Sequence, residues 1–410
     1  VEDEFAHEHG FATAMCGRIV GCLIAEIKVR FNVERRATLY YTGAVMSARS
    51  QQSARSTALD VLRAVAVLLV LGRHMPEFSR GEIPFAGPVL DLWRRGGWIG
   101  VDLFFVLSGF LISGLLFREY LGFGEIKYGR FLLRRGFKIY PPFYMLLAVT
   151  VLVAARAGRS LPAGAVWCEA LFLQNYGPSL FPHTWSLAVE EHFYLLLPLL
   201  LLGLSRGKKA GARFAALPWI CGAVALAALA GRVATTALCP FSPKANIFPT
   251  HLRIDSLLFG VTLSYFHHFH RERLGAFLEK YRAPLGLCAV LFFLPPFCIE
   301  LGAGIFLQTA GLTFLALGSG IVLLLMLHNY RRRPGFMAYV GSHSYSIYLW
   351  HIPVRFWVVP WLAATLPAPG KIAFYFAASI LAGIVAAGLV ETPALALRDR
   401  VCRSRSQFPV

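Results

Sequence analysis

The side chains in this chain that can do chemistry lie inside its apolar runs. The run Leu59–His74 holds Asp60, Arg63 and His74. Arg63 and His74 are eleven positions apart. On a helix that places them within about 20° of one face and roughly 16 Å apart along the axis. A cation and a titratable imidazole then address one cavity, one as an anchor for anions and the other as a proton carrier. The plain alternative is that Arg63 snorkels or pairs with Asp60 while His74 sits at the outer interface.

Other runs repeat the theme. In Gly97–Gly114, Asp102 lies several residues inside the apolar stretch, free to act or to form an ion pair with a cation such as Arg63. Ser108, Gly109, Ser113 and Gly114 read as small residues for close helix packing. The segment Arg130–Pro142 sets Arg130, Arg134, Arg135 and Lys138 at a membrane edge, either as solvated charge or as a site for phosphoryl oxygens. Thr184–Tyr194 places Glu190, Glu191 and His192 at the outer rim of a span, where paired carboxylates beside an imidazole are expected to have perturbed proton affinities. Arg253 and Asp255 sit together further on, and His351 lies mid-run as an internal polar contact or a catalytic group. The eight cysteines show neither a Cys-x-x-Cys pair nor a His/Cys zinc spacing, so no disulfide framework and no metal is expected.

Such groups need apolar elements to hold them, and the composition supplies little else. Of 410 residues, 57% are hydrophobic and 15% charged, and the mean hydropathy is +0.58. Soluble domains are nearer a quarter charged. An ordinary cytosolic enzyme, a coiled coil and a disordered chain are thereby excluded. An all-α polytopic membrane bundle without a soluble domain remains. Ten apolar runs are long enough to cross: about 57–75, 98–120, 138–156, 186–204, 214–232, 251–268, 283–301, 305–328, 342–362 and 372–391. The stretch Ala163–Leu173 is too short and reads as re-entrant or interfacial.

The net charge of +18 tests this count. With the N-terminus inside, 28 Lys and Arg fall on inner connections and tails and 8 on outer connections. That is the positive-inside asymmetry, and in this setting the basic excess does not call for nucleic acid. Both termini are therefore expected in the cytoplasm. Residues 1–56 read as an extension that is poorly ordered or an over-extended start, 57–393 as the membrane domain, and 394–410 as a basic tail.

Taken in order, Leu59–His74, Phe104-Phe105 to Ser108-Gly109, Arg135–Pro141, Trp185-Ser186-Leu187 with Glu190 and Phe193-Tyr194, Arg253–Gly260 and Ser344–Pro353 resemble the acyltransferase-3 family. Its members are integral-membrane O-acyltransferases of bacterial polysaccharides and related acceptors. The resemblance covers about 57–393. It implies that Arg63 and His74 are the family's basic residue and essential histidine, that Asp102 is its acidic residue before the double Phe, and that Trp185 and Glu190 belong to its Trp-Ser-Leu…Glu block. The cytoplasmic Arg-x-x-Arg pattern falls on Arg135 and Lys138, so a planar fork is replaced by a point charge. Some members carry a fused extracellular hydrolase-like domain, which is not expected within these 410 residues.

The resemblance also implies an acyl-CoA donor, most often acetyl-CoA, a hydroxyl acceptor on a carbohydrate or glycosylated molecule, and the bacterial plasma membrane as the site of action. CoA phosphates would dock on Arg63, Arg135 and Lys138. His74 would take the acceptor proton, oriented by Glu190 or Asp102, with a transient acyl-His as a second route. Trp185, Glu191 and His351 would contact the acceptor. No Gly-x-Ser-x-Gly elbow suggests a serine acyl-enzyme. The rival expectation is a polytopic transporter, since intramembrane charges also mark solute pathways, although the two halves show no obvious repeat.

Overall fold

The structure, a computed structural model, describes residues 57–79, 81–206, 214–330 and 335–402. The expected extension 1–56 and the end of the basic tail lie outside the described residues. The described residues form helices and no strand. Each of the ten expected runs falls on helix.

The elements that matter for the site are α1 (57–73), α2 (Gly87–Gly96), α3 (Gly100–Phe123), α4 (Tyr128–Arg156), α5 (Ala163–Ala170), α6 (Trp185–Ser205) and α7 (Leu217–Leu238). The second half adds α8 (Ile254–Phe269), α9 (Arg271–Phe293), α10 (Leu312–Asn329), α11 (Ser344–Pro353) and α12 (Ala368–Ala386). Ala163–Leu173, too short to cross, contains the short helix α5.

Seven helical stretches are long and apolar enough to cross a membrane: Gly87–Phe123, Tyr128–Arg156, Trp185–Ser205, Leu217–Leu238, Arg271–Cys298, Leu307–Asn329 and Ala368–Val401. The other three expected spans are α1, α8 and α11. The last is interrupted by a π-turn at Val354–Val358 before resuming as Val359–Leu362. These three carry Asp60, Arg63, Asp255 and His351.

Burial runs opposite to that of a water-soluble protein. Asp102, Arg232, Arg253 and His351 are buried, whereas Leu238 on α7, Leu291 on α9 and Leu381 on α12 are exposed. Such a surface suits lipid, and such an interior suits charges that need partners. This is a multi-pass membrane helix bundle.

Local sequence explains the key contacts. The packing of α3 on α8 turns on Gly109 and Gly260. A Cβ on Gly109 would overlap the Leu257 carbonyl, and one on Gly260 the Val106 carbonyl. The small residues thus let two backbones touch, as the Ser/Gly pattern predicted. Gly124, in the left-handed region at φ 71°, ends α3 by donating its N–H to the Tyr120 carbonyl at 2.7 Å.

Candidate active site

His74 follows the last turn of α1 and lies half-buried against α11. Its Nδ1 is 3.0 Å from the Val70 carbonyl and 3.3 Å from Nε2 of His351. A carbonyl only accepts, so His74 Nδ1 carries hydrogen. His351 Nδ1 is 2.6 Å from the Tyr348 carbonyl and must also carry hydrogen. His351 Nε2 is then a lone pair and accepts from His74 Nδ1–H. The network assigns the tautomers throughout, and its consequence is that His74 Nε2 is a free base.

A third imidazole completes the cluster. His183 is buried with its ring 4.9 Å from that of His351 and donates Nε2–H to the Leu349 carbonyl at 3.2 Å. Its Nδ1 is buried without a partner. His183 stands in the loop after α5, and Glu169 on that helix holds the loop in place. One carboxylate oxygen of Glu169 accepts from the Leu180 and Phe181 N–H groups at 3.0 and 3.4 Å and from Thr184 Oγ1 at 2.9 Å. Burial pushes the Glu169 carboxyl up to about 7 despite these donors. Phe172 turns the loop at a positive φ of 55°, offset by stacking on Phe143 at 4.5 Å.

Beside the imidazoles lies a cavity of about 150 Å³. A single ordered water needs about a tenth of that, so a flexible chain fits. Arg63, Arg135 and Lys138 line it together with Ser108, Glu190 and Tyr194. Tyr348 forms part of its wall, and the same ring packs on His351 and His183 at 5.6 and 5.4 Å. The Tyr348 hydroxyl donates to the His183 carbonyl at 2.7 Å and meets Ser186 Oγ at 2.7 Å. Tyr348 thus touches both the cavity and the imidazole cluster, and His74 is reached from it through His351.

The three cations differ. Arg63 pairs with Asp60 at 2.6 Å, the plain reading of the sequence. Lys138 pairs at 3.0 Å with Glu391, which also accepts from Ser346 Oγ on α11 at 2.7 Å. Arg135 has no ion pair among the described residues, and its guanidinium lies 5.9 Å from the ring centres of Phe131 and Tyr194. Arg135 is the cation most available to an anion.

Asp102 belongs to a separate layer. It binds Arg253 at 2.7 Å, not Arg63, and Arg232 binds Asp255 at 2.9 Å; all four are buried. Arg253 lies over Phe105 and Trp185 at 5.5 and 5.7 Å, and Trp185 stacks on Phe248 at 4.6 Å.

The sequence reading is therefore met unevenly. The structure gathers Arg63, Arg135, Lys138, Glu190 and Glu191 around one cavity and sets His74 against His351. It does not bring a carboxylate to His74: the ring is oriented by the Val70 carbonyl and His351 instead. Glu190, expected at the outer rim, faces the cavity, where Ser108 Oγ donates to it at 3.3 Å and the Tyr194 hydroxyl donates as well. Glu191 accepts from the Tyr140 hydroxyl at 3.1 Å. Trp185 sits in the ion-pair layer. His183, Tyr348 and Glu391 were not anticipated. The histidine directly before Thr184-Trp185-Ser186 was the available signal for the first. Among the described residues, no group of three or more His, Cys, Asp or Glu is placed to hold a metal ion.

A helical membrane bundle with a free imidazole base beside a basic cavity defines a class, and the comparisons agree with it. The family model described as an acyltransferase domain matches residues 56–388, and the chain belongs to that acyltransferase-3 family. Among curated proteins it is 27% identical over 368 residues to the peptidoglycan O-acetyltransferase OatA of Listeria monocytogenes, covering 82% of this chain and 55% of that protein. It is 28% identical over 325 residues to YrhL of Bacillus subtilis, named "Putative peptidoglycan O-acetyltransferase", covering 72% of this chain and 48% of that protein. The chain thus spans about half the length of the curated relatives it matches. No solved structure matches it.

Proposed function

We propose that this chain is a bacterial plasma-membrane O-acetyltransferase, with both termini cytoplasmic, that moves an acetyl group from acetyl-CoA to a hydroxyl of a cell-wall carbohydrate. The names of the relatives support the acetyl group and the glycan acceptor. The observation that carries the chemistry is the tautomer of His74. With Nδ1–H held by the Val70 carbonyl and His351, Nε2 is left to take a proton from an acceptor hydroxyl.

The donor reading rests on the cavity. CoA brings several phosphate charges on a slender pantetheine arm. Arg135 offers an unmatched guanidinium, and Arg63 and Lys138 offer charges that phosphates can share with Asp60 and Glu391. The remaining space is narrow and mostly apolar, as the arm requires. His351 acts on His74 as a positioning residue, in the place where a carboxylate was expected.

The test is thiol release from acetyl-CoA by the purified protein in detergent, with a soluble glycan fragment as acceptor. Acetylated product should form with the wild-type chain. His74→Ala should lower it roughly 10²–10⁴-fold, the usual range for a general base, while the protein elutes as before. Acetyl-CoA turnover no faster in wild type than in His74→Ala would sink the reading.

A further inference from the structure

Ser108 is a cavity-lining hydroxyl whose surroundings packing does not explain. Polar residues in apolar helices commonly return their hydroxyl to the carbonyl four residues back. Ser113 does so with Gly109 at 2.6 Å, Thr150 with Leu146 at 2.7 Å, and Thr262 with Leu258 at 3.0 Å. Ser108, on the same helix as Ser113, instead reaches across to α6. There it meets Glu190 at 3.3 Å and the Tyr194 hydroxyl at 2.8 Å.

The direction of these bonds matters. The Tyr194 hydroxyl donates to Glu190, so its oxygen accepts, and the Ser108 proton points at Tyr194 or Glu190. The lone pairs of Ser108 Oγ are thereby left for another partner. All three side chains line the cavity whose cations are Arg63, Arg135 and Lys138. A nucleophile, a carboxylate within reach of its proton, and space for a thioester thus coincide. The backbone beneath is closely packed, because Gly109, the next residue, lies against the Leu257 carbonyl of α8.

We infer that Ser108 is an acyl-accepting nucleophile with Glu190 as its base, so that transfer passes through an acyl-serine inside the bundle. This rests on the donor reading given above. In the first step Ser108 Oγ attacks the thioester carbonyl carbon, its proton passes to Glu190, the C–S bond breaks, and the donor leaves as a thiolate. In the second step the acceptor hydroxyl gives its proton to His74 and its oxygen attacks the ester carbon. The C–Oγ bond then breaks, Glu190 returns its proton to Ser108, and His74 releases the acceptor's proton to solvent, which balances the thiolate that left. Two proton acceptors thus serve two half-reactions.

The experiment is acid-quenched labelling of the purified full chain with radiolabelled acetyl-CoA, followed by peptide mapping. Without acceptor, wild type and His74→Ala should both carry one acetyl group on the peptide containing Ser108. Adding the glycan acceptor should discharge wild type but not His74→Ala. Ser108→Ala should lose the label, and Ser108→Cys should regain it as a hydroxylamine-sensitive thioester, which a merely structural serine would not do. Acetyl transfer by wild type with no labelled peptide, or with label on Tyr194 or His74, overturns the acyl-serine and leaves the donor reading intact. No turnover of acetyl-CoA at all overturns both.

Discussion

Two polar regions are buried in this bundle, and they are built on opposite rules. In the layer of Asp102, Arg253, Arg232 and Asp255, each charge faces its opposite within 3 Å and aromatic rings close the gaps. Several polar atoms of that layer, such as Asp102 Oδ2 and Arg253 Nε, have no hydrogen-bond partner, yet its charges are matched. Around His74 and the cavity the charges themselves are not all matched. His74 keeps a lone pair, His183 Nδ1 has no partner, and Arg135 has no carboxylate. The matched layer holds helices together. The unmatched set stores polar capacity that a substrate completes, and in an apolar surrounding that capacity is worth far more than in water.

Breaking the matched layer should therefore have the largest effect, and on folding. Removing one partner of a buried pair strands a charge and costs about 3–5 kcal/mol. Asp102→Ala should lower the detergent melting temperature sharply and reduce the yield of folded protein. Replacing both partners, Asp102→Leu with Arg253→Met, should recover much of the loss. In the unmatched set, His351→Ala should lower the melting temperature less than Asp102→Ala does, while lowering kcat and sparing the KM for acetyl-CoA. If the two sites respond alike, the contrast is wrong.

The next effect sharpens the comparison within the cavity. Charge-assisted hydrogen bonds are worth about 1.5–3 kcal/mol each, so Arg135→Ala should raise the KM for acetyl-CoA roughly tenfold or more and flatten its salt dependence. Lys138→Ala should cost less, since Glu391 already neutralises that ammonium. Equal losses would mean that Glu391 leaves Lys138 when donor binds. Lys138→Arg should keep or improve donor affinity if a planar fork is accommodated there.

The smallest effect is a slope with pH. The Glu169 carboxyl is raised from its usual range to about 7. Its contribution to stability is full below about 4.5 and is lost as pH rises through 7. Thermal stability should thus decline from pH 5 to pH 8, and Glu169→Gln should flatten that decline. A steeper slope in the variant would point to another group.

How much of this was legible in sequence follows from what spacing can encode. The shared face of Arg63 and His74 is a property of one helix, and the run of basic residues before Pro141 announces itself. Arg63, Arg135 and Lys138 do converge on the cavity, whereas His74 faces His351 and is not among its lining residues. Long-range partners are another matter. Asp102 and Arg253 are 151 residues apart, and nothing in either run says which cation the aspartate meets. Glu391 was invisible because a π-turn over Ala387–Glu391 breaks the helical period on which face assignments depend. His183 was missed because it lies in a loop, where no periodicity exists and position is set by the hydrogen bonds to Glu169. Glu190 was legible as a carboxylate inside an apolar run but not in place, because distance from a helix start does not give depth within a cavity.

The end of α1 carries one more consequence. A helix that stops inside an apolar bundle exposes its last carbonyls to a medium with no water to bind them. The Leu71 carbonyl is met by the Tyr375 hydroxyl at 3.2 Å, and the Val70 carbonyl by Nδ1–H of His74. The imidazole is therefore the C-terminal cap of its own helix. The Val70 carbonyl, which the His74 backbone N–H reaches only at 3.3 Å, takes a closer second donor from the ring, and that bond selects one of two tautomers before any substrate arrives. Capping, ordinarily a matter of helix stability, here sets which nitrogen is basic.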